Sequence, residues 1–110
     1  MTSDIKSILD HMNPRDVWRN MNDILDSGIS IDYLLDLGEP EYGFFVKNYK
    51  QLLDLGANPQ KLFNKNEEWY ITNASHPQDL AEVFGDFIQH GLSYGYIERW
   101  TKLHLKASAI

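Results

Sequence analysis

The chain of 110 residues has no cysteine, which removes disulfides, thiolate metal ligands and thiol nucleophiles together. A cytoplasmic location is the matching expectation. No window holds the ~20 apolar residues that a bilayer span needs. The opening residues, MTSDIKSILDHMN, carry acids at positions 4 and 10 where a secretory signal would carry bases before an apolar run. Neither membrane insertion nor export is expected. Positive charge is scarce too: ten Lys and Arg stand against sixteen Asp and Glu, a net of −6. The deficit is confined to residues 1–46, where nine acids (Asp4, Asp10, Asp16, Asp23, Asp26, Asp32, Asp36, Glu39, Glu41) meet three bases (Lys6, Arg15, Arg19). Beyond them the chain is balanced. Such a front half repels phosphate backbones and attracts a basic partner, over a Debye length of about 8 Å at physiological salt.

The usual catalytic patterns are also missing. His11, His76, His90 and His104 lack the H-x-x-x-H or H-x-x-H spacing that puts two ligands on one helix face. There is no G-x-S-x-G elbow, and no Gly-rich loop with a phosphate-binding lysine leads into a helix. Asp32 and Asp36 share one face of a short helix, where they add negative surface potential rather than an acid–base pair. The expectation is therefore no enzyme, no cofactor and no metal.

What the chain does have is a repeated corner. LLDLGANPQKLF (52–63) is echoed by ILDSGISIDYLL (24–35) and FIQHGLSYGYIE (87–98). Aligning Gly28, Gly56 and Gly91 brings Val17, Phe45 and Leu80 into register, then Met21, Tyr49 and Phe84, then Ile24, Leu52 and Phe87, then Leu25, Leu53 and Ile88. This i, i+4, i+7, i+8 pattern is one stripe of an amphipathic helix. Pro14, Pro40 and Pro77 suit the first turns of the long helices, with Asn13, Glu39 and Ser75 as their caps. Each corner glycine favours a left-handed helix closure, followed by an apolar residue (Ile29, Ala57, Leu92) that packs back. Ser30, Asn58 and Ser93 then cap short helices bearing Leu34, Leu62 and Ile97.

These pairs predict an all-α fold: one domain over 1–110, a short right-handed stack of three long-helix/short-helix repeats. Repeat 1 covers 13–37 and repeat 2 covers 39–63. An insertion loop follows at 64–75, then repeat 3 with a C-terminal helix at 76–106. IKSILDHMNP matches IDYLLDLGEP, so an N-terminal half repeat sets Ile5, Ile8 and Leu9 opposite Ile31, Leu34 and Leu35. Stacked pairs share a core that no single pair can close. Trp69, Tyr70 and Ile71 make the insertion unusually apolar. They either fold back over the core or offer aromatic anchors to a partner.

The unit PRDVWRNMNDILDSGISIDYLL resembles the repeats of mitochondrial transcription-termination factors, in which a long helix ends in Leu-x-x-x-Gly before a shorter one. That resemblance implies the fold; the basic surface for nucleic acid is lacking here, so direct nucleic-acid binding is not carried over. The expected function is a non-enzymatic module that binds a partner protein through a helical-repeat surface, with Trp69, Tyr70, Asp23, Asp26, Asp32 and Asp36 as contact candidates. An alternative is a small acidic inhibitor of the anti-CRISPR, anti-restriction or immunity-protein type, blocking a nucleic-acid enzyme through its acidic half. Open stack ends would also allow a homodimer.

Overall fold

The computed structural model describes the backbone of residues 2–105 and the side chains of residues 5–105. Lys106 and the four residues after it lie outside that range. Ten helices and no strands occur among the described residues: α1 (Thr2–Asp10), α2 (Pro14–Arg19), α3 (Met21–Asp26), α4 (Ile31–Leu37), α5 (Phe44–Lys47), α6 (Tyr49–Asp54), α7 (Pro59–Lys65), α8 (Glu67–Thr72), α9 (Pro77–Gln89) and α10 (Tyr94–His104). Helices this short are marginal alone, so caps and burial must hold them. The chain divides into two compact units, Met1–Ala57 and Asn58–Ile110.

All three corner glycines are left-handed, with φ of 102° at Gly28, 97° at Gly56 and 105° at Gly91. The hydrogen bonds follow the Schellman pattern. Gly56 N–H donates to Leu53 O and Ala57 N–H to Leu52 O, while Gly91 and Leu92 donate to Ile88 O and Phe87 O, each at 3.0 Å. At the first corner Gly28 N–H reaches Leu25 O at 3.0 Å, and the Ser27 hydroxyl donates to Ile24 O at 2.6 Å. Ile29, Ala57 and Leu92 are all buried. The side chains of Ser30, Asn58 and Ser93 accept from the N–H of Tyr33, Lys61 and Tyr96, so each expected cap closes the first turn of its short helix.

Within the first unit, the long helices are broken in two. Asn20 separates α2 from α3 and Asn48 separates α5 from α6, at φ/ψ of −104°/21° and −114°/19°. Each amide Nδ2 donates to the carbonyl four residues back, Asp16 O at 2.8 Å and Phe44 O at 2.9 Å. The side chain competes with the backbone for that acceptor, which is why asparagine interrupts a helix. Val17, Leu34, Leu35 and Phe45 are fully buried in this unit, and Trp18 lies 5.2 Å from Phe44 and 5.4 Å from Phe45 between ring centroids. The Trp18 indole N–H donates to Gly38 O at 2.9 Å, tying down the α4–α5 loop.

Several expected helix ends differ. Pro14 and Pro77 do open α2 and α9, but Pro40 lies in the loop and α5 starts only at Phe44. Gly43, at φ 83°, turns the chain there, and the Glu39 carboxylate reaches forward to accept from Phe45 N–H at 2.9 Å. The N-cap of α9 is His76 rather than Ser75, and its side chain makes no cap hydrogen bond. In the half repeat Leu9 is buried, but Ile8 is 62% exposed where its expected counterpart Leu34 is fully buried.

The second unit contains the largest departure. Residues 64–75, expected as a loop, are helical from Glu67 to Thr72. Asn66 divides α7 from α8 with nearly the same backbone angles as Asn20. Tyr70 from this helix is fully buried, its ring 4.7 Å from Phe63, 5.1 Å from Phe84 and 5.3 Å from Trp100. Phe63 is the centre of the cluster, with Phe87 at 5.5 Å and Trp100 at 5.6 Å, both edge-on. Edge-to-face rings add about 0.5–1.5 kcal/mol per pair beyond area burial. The Trp100 indole N–H donates to Glu67 Oε2 at 2.7 Å, and the Tyr96 hydroxyl donates to Asn64 Oδ1 at 2.7 Å, so α10 is fastened to α7 and α8 at two points.

Candidate functional site

Helix α9 has no asparagine break and runs unbroken for 13 residues. Its apolar residues are more numerous than the core can absorb. Leu80, Val83 and Phe87 are buried, whereas Phe84 is half-buried and Ile88 is 38% exposed. The stripe foreseen from the repeat is thus rotated: Val83 goes inward, and Phe84 with Ile88 turns toward the side of the helix. Helix α10 repeats the arrangement, burying Ile97 and Trp100 and leaving Tyr94 65% exposed.

Between these two helices runs an apolar groove of about 680 Å³, well within the 300–1,000 Å³ of ordinary ligand sites. One wall is Pro77, Leu80, Ala81, Phe84, Gly85 and Ile88; the other is Tyr94, Ile97, Glu98, Thr101, Lys102 and Leu105. Both walls have the same i, i+3, i+4, i+7, i+8, i+11 spacing, so each helix presents one continuous face for three turns. At 1.5 Å per residue that face is about 16 Å long. Ala74 and Ser75 close one end.

Gly85 sits in the middle of α9, where its backbone is ordinary right-handed helix and a Cβ would meet no atom within 4 Å. Nothing in the fold needs a glycine there. In a helix interior glycine costs about 1 kcal/mol relative to alanine. With Ala81 one turn before it, the missing side chain leaves the α9 backbone open to the groove.

The charged residues that line the groove, Glu98 and Lys102, both lie on α10. Helix α9 carries Asp79, Glu82 and Asp86 and no base, none of them on the groove wall. Lys102 Nζ lies 3.9 Å from Glu98 Oε2, but both are exposed, 75% and 46%. An exposed i, i+4 pair of this kind contributes a few tenths of a kcal/mol at most, roughly, so Lys102 is free to reorient toward a bound group.

The residues singled out from the sequence are scattered. Tyr70 is core and presents no surface; Trp69 beside it is half-buried, its ring 6.1 Å from that of Tyr70. Asp23 and Asp26 are exposed on α3, and Asp32 (half-buried) and Asp36 (exposed) lie on α4 past the Gly28 corner. Elsewhere in the first unit the Tyr33 hydroxyl donates to the Asp10 carboxylate, and Lys6 Nζ lies 5.0 Å from the Tyr33 ring centroid. The hydrogen bond to Asp10, then burial, then that carboxylate's charge hold the Tyr33 pKa above its ordinary 10.0.

Among the described residues no three His, Asp or Glu side chains converge as a metal site, and no helix is long and apolar enough to cross a membrane. Searches of protein-family models, curated proteins and solved structures return no match for this chain.

Proposed function

We propose that this chain is a non-enzymatic module that binds a partner protein, and that the α9–α10 groove is the surface it uses. The observation that carries this reading is Gly85, a residue that weakens its own helix and relieves no contact within the fold. Only a group arriving from outside benefits from the absent side chain. The apolar walls, with one charged pair among them, support a protein ligand, since interfaces combine an apolar centre with a polar edge. Nucleic acid is the poorer fit because the groove offers few cations. The three matching corners favour reading the helical pairs as three copies of one long-helix/short-helix repeat.

Replacing Gly85 with leucine tests the reading. The side chain fills the groove without straining the helix, so capture of the partner from native lysate is lost while unfolding by urea is unchanged or later. Undiminished capture by Gly85→Leu would remove the groove as the site. Sedimentation of the purified chain identifies the case in which the partner is a second copy.

A second reading, an acidic inhibitor of a nucleic-acid enzyme, draws on the exposure of Asp23 and Asp26. It predicts affinity that falls steeply with salt and weakens in Asp23→Asn with Asp26→Asn, whereas binding in the apolar groove responds little to salt.

A further inference from the structure

Helix α1 is lightly anchored in the first unit. Of its described side chains only Leu9 is buried; Ile5 is half-buried, and Lys6, Ser7, Ile8 and Asp10 are exposed. The shorter α4 buries Ile31, Leu34 and Leu35. Nine residues are too few to stay helical alone, so α1 depends on what fastens it to its neighbour. The fastening gathers around one phenol on α4. The Tyr33 hydroxyl donates to the Asp10 carboxylate and lies 3.4 Å from Lys6 O, while Lys6 Nζ stands 5.0 Å from the ring centroid. Lys6 and Asp10 are one helical turn apart, so a single side chain of α4 grips one turn of α1 at both its ends. We infer that α1 is a strap that opens as one piece while the rest of the first unit stays folded, with Tyr33 as its latch.

The joint after α1 suits such an opening. A left-handed glycine closes the corners at Gly28, Gly56 and Gly91, but none of His11, Met12 and Asn13 has a positive φ. Helix α1 ends instead in two three-residue turns, His11 N–H to Ile8 O and Met12 N–H to Leu9 O, each at 3.1 Å. The next helix begins complete in itself. The Asn13 side chain accepts from Arg15 N–H at 2.8 Å, and Pro14 at the first position has no N–H to satisfy. Trp18 then ties α2 to the Gly38 carbonyl and to the rings of Phe44 and Phe45, all without α1.

The apolar side of α1 is also wider than its seat. Ile5, Ile8 and Leu9 share one face by their i, i+3, i+4 spacing, yet Ile8 stays 62% exposed. Opening bares Leu9 and its seat together, an apolar surface that the closed form hides. Elements with few buried side chains are the ones that open below global unfolding.

Amide hydrogen exchange of the unsubstituted chain, followed residue by residue, tests the strap. The amides from Ile8 to Met12 should share one protection, roughly a hundred-fold below that of Leu34 and Leu35 on α4. Tyr33→Phe keeps the ring and removes the hydroxyl, and it should speed exchange from Ile8 to Met12 roughly ten-fold. Phe45→Leu weakens ring packing outside the latch, so it should speed the Leu34 and Leu35 amides and leave those of α1 as they were. Protection that climbs step by step from Ile8 to Met12 would mean fraying from the chain end and would overturn the single opening. Equal speeding of α1 and α4 in Phe45→Leu would mean that α1 leaves only when the whole unit unfolds. Unchanged exchange of α1 in Tyr33→Phe would overturn the latch.

Discussion

The same substitution, glycine to alanine, should have opposite effects at two places in the second unit. At Gly91 the backbone sits at φ 105°. An added Cβ meets nothing within 4 Å, so the cost is conformational alone, roughly 1–2 kcal/mol for an L-residue forced into the left-handed region. At Gly85 the backbone is helical and the space is equally empty, so alanine should gain about 0.4–1 kcal/mol, partly through a less disordered unfolded chain. The two variants, each one methyl larger than the wild type, should differ by about 2 kcal/mol, or on the order of 10 °C in melting midpoint. Urea and thermal unfolding followed by tryptophan fluorescence and far-ultraviolet circular dichroism would read both. Chemical synthesis adds a control, since D-alanine at position 91 prefers the mirror region and should restore or exceed wild-type stability. Destabilisation by Gly85→Ala of a size similar to that at Gly91 would refute the open face of α9, and a neutral Gly91→Ala with a destabilising D-alanine would refute the left-handed corner.

Other outcomes follow from single contacts. Tyr70→Ala should cost about 3–5 kcal/mol by emptying the ring cluster, whereas Trp69→Ala, at a half-buried ring, should cost under about 1.5 kcal/mol; equal losses in urea unfolding would contradict the placement of Tyr70 in the core. Ser93→Ala removes the cap of α10 and should cost about 1 kcal/mol, with no change if the first turn is held otherwise. Because the folded pKa of Tyr33 is raised, the stabilisation tied to its hydrogen bond is complete below the ordinary tyrosine value of 10.0 and is lost as pH rises through the folded value. Asp10→Asn should bring the phenolate absorbance titration of Tyr33 back down toward that value.

Corners were legible because their chemistry is local. Glycine at φ near 100° and Ser or Asn at an N-cap are dictated by the backbone within a few residues, so Gly28, Gly56, Gly91, Ser30, Asn58 and Ser93 could be placed without any tertiary information. Pro40 misled because proline also suits loops, and Glu39 does its capping across five residues. The breaks at Asn20 and Asn48 are not legible locally because an asparagine inside a helix is only mildly unfavourable on its own; their 28-residue separation, equal to that of Gly28 and Gly56, is the signal the sequence carries. The segment around Tyr70 reads as a loop because the repeat has no counterpart for it; of its three consecutive apolar residues only Tyr70 is buried, while Trp69 is half-buried and Ile71 is 50% exposed. The groove was hidden by its own materials. Phe84 and Ile88 fit the core stripe by spacing, and only packing shows that Val83 takes the inner place. Gly85 was the clue within reach, a helix-interior glycine with no turn to make.

Carrying both stability and binding through one variant tests the central claim most directly. In Gly85→Ala the unfolding midpoint should rise, while affinity for the partner protein captured through the α9–α10 groove should fall, because the new methyl occupies space on the groove wall. A rise in stability with unchanged affinity would mean that nothing uses the space above Gly85, and the assignment of this groove as the binding surface would be contradicted.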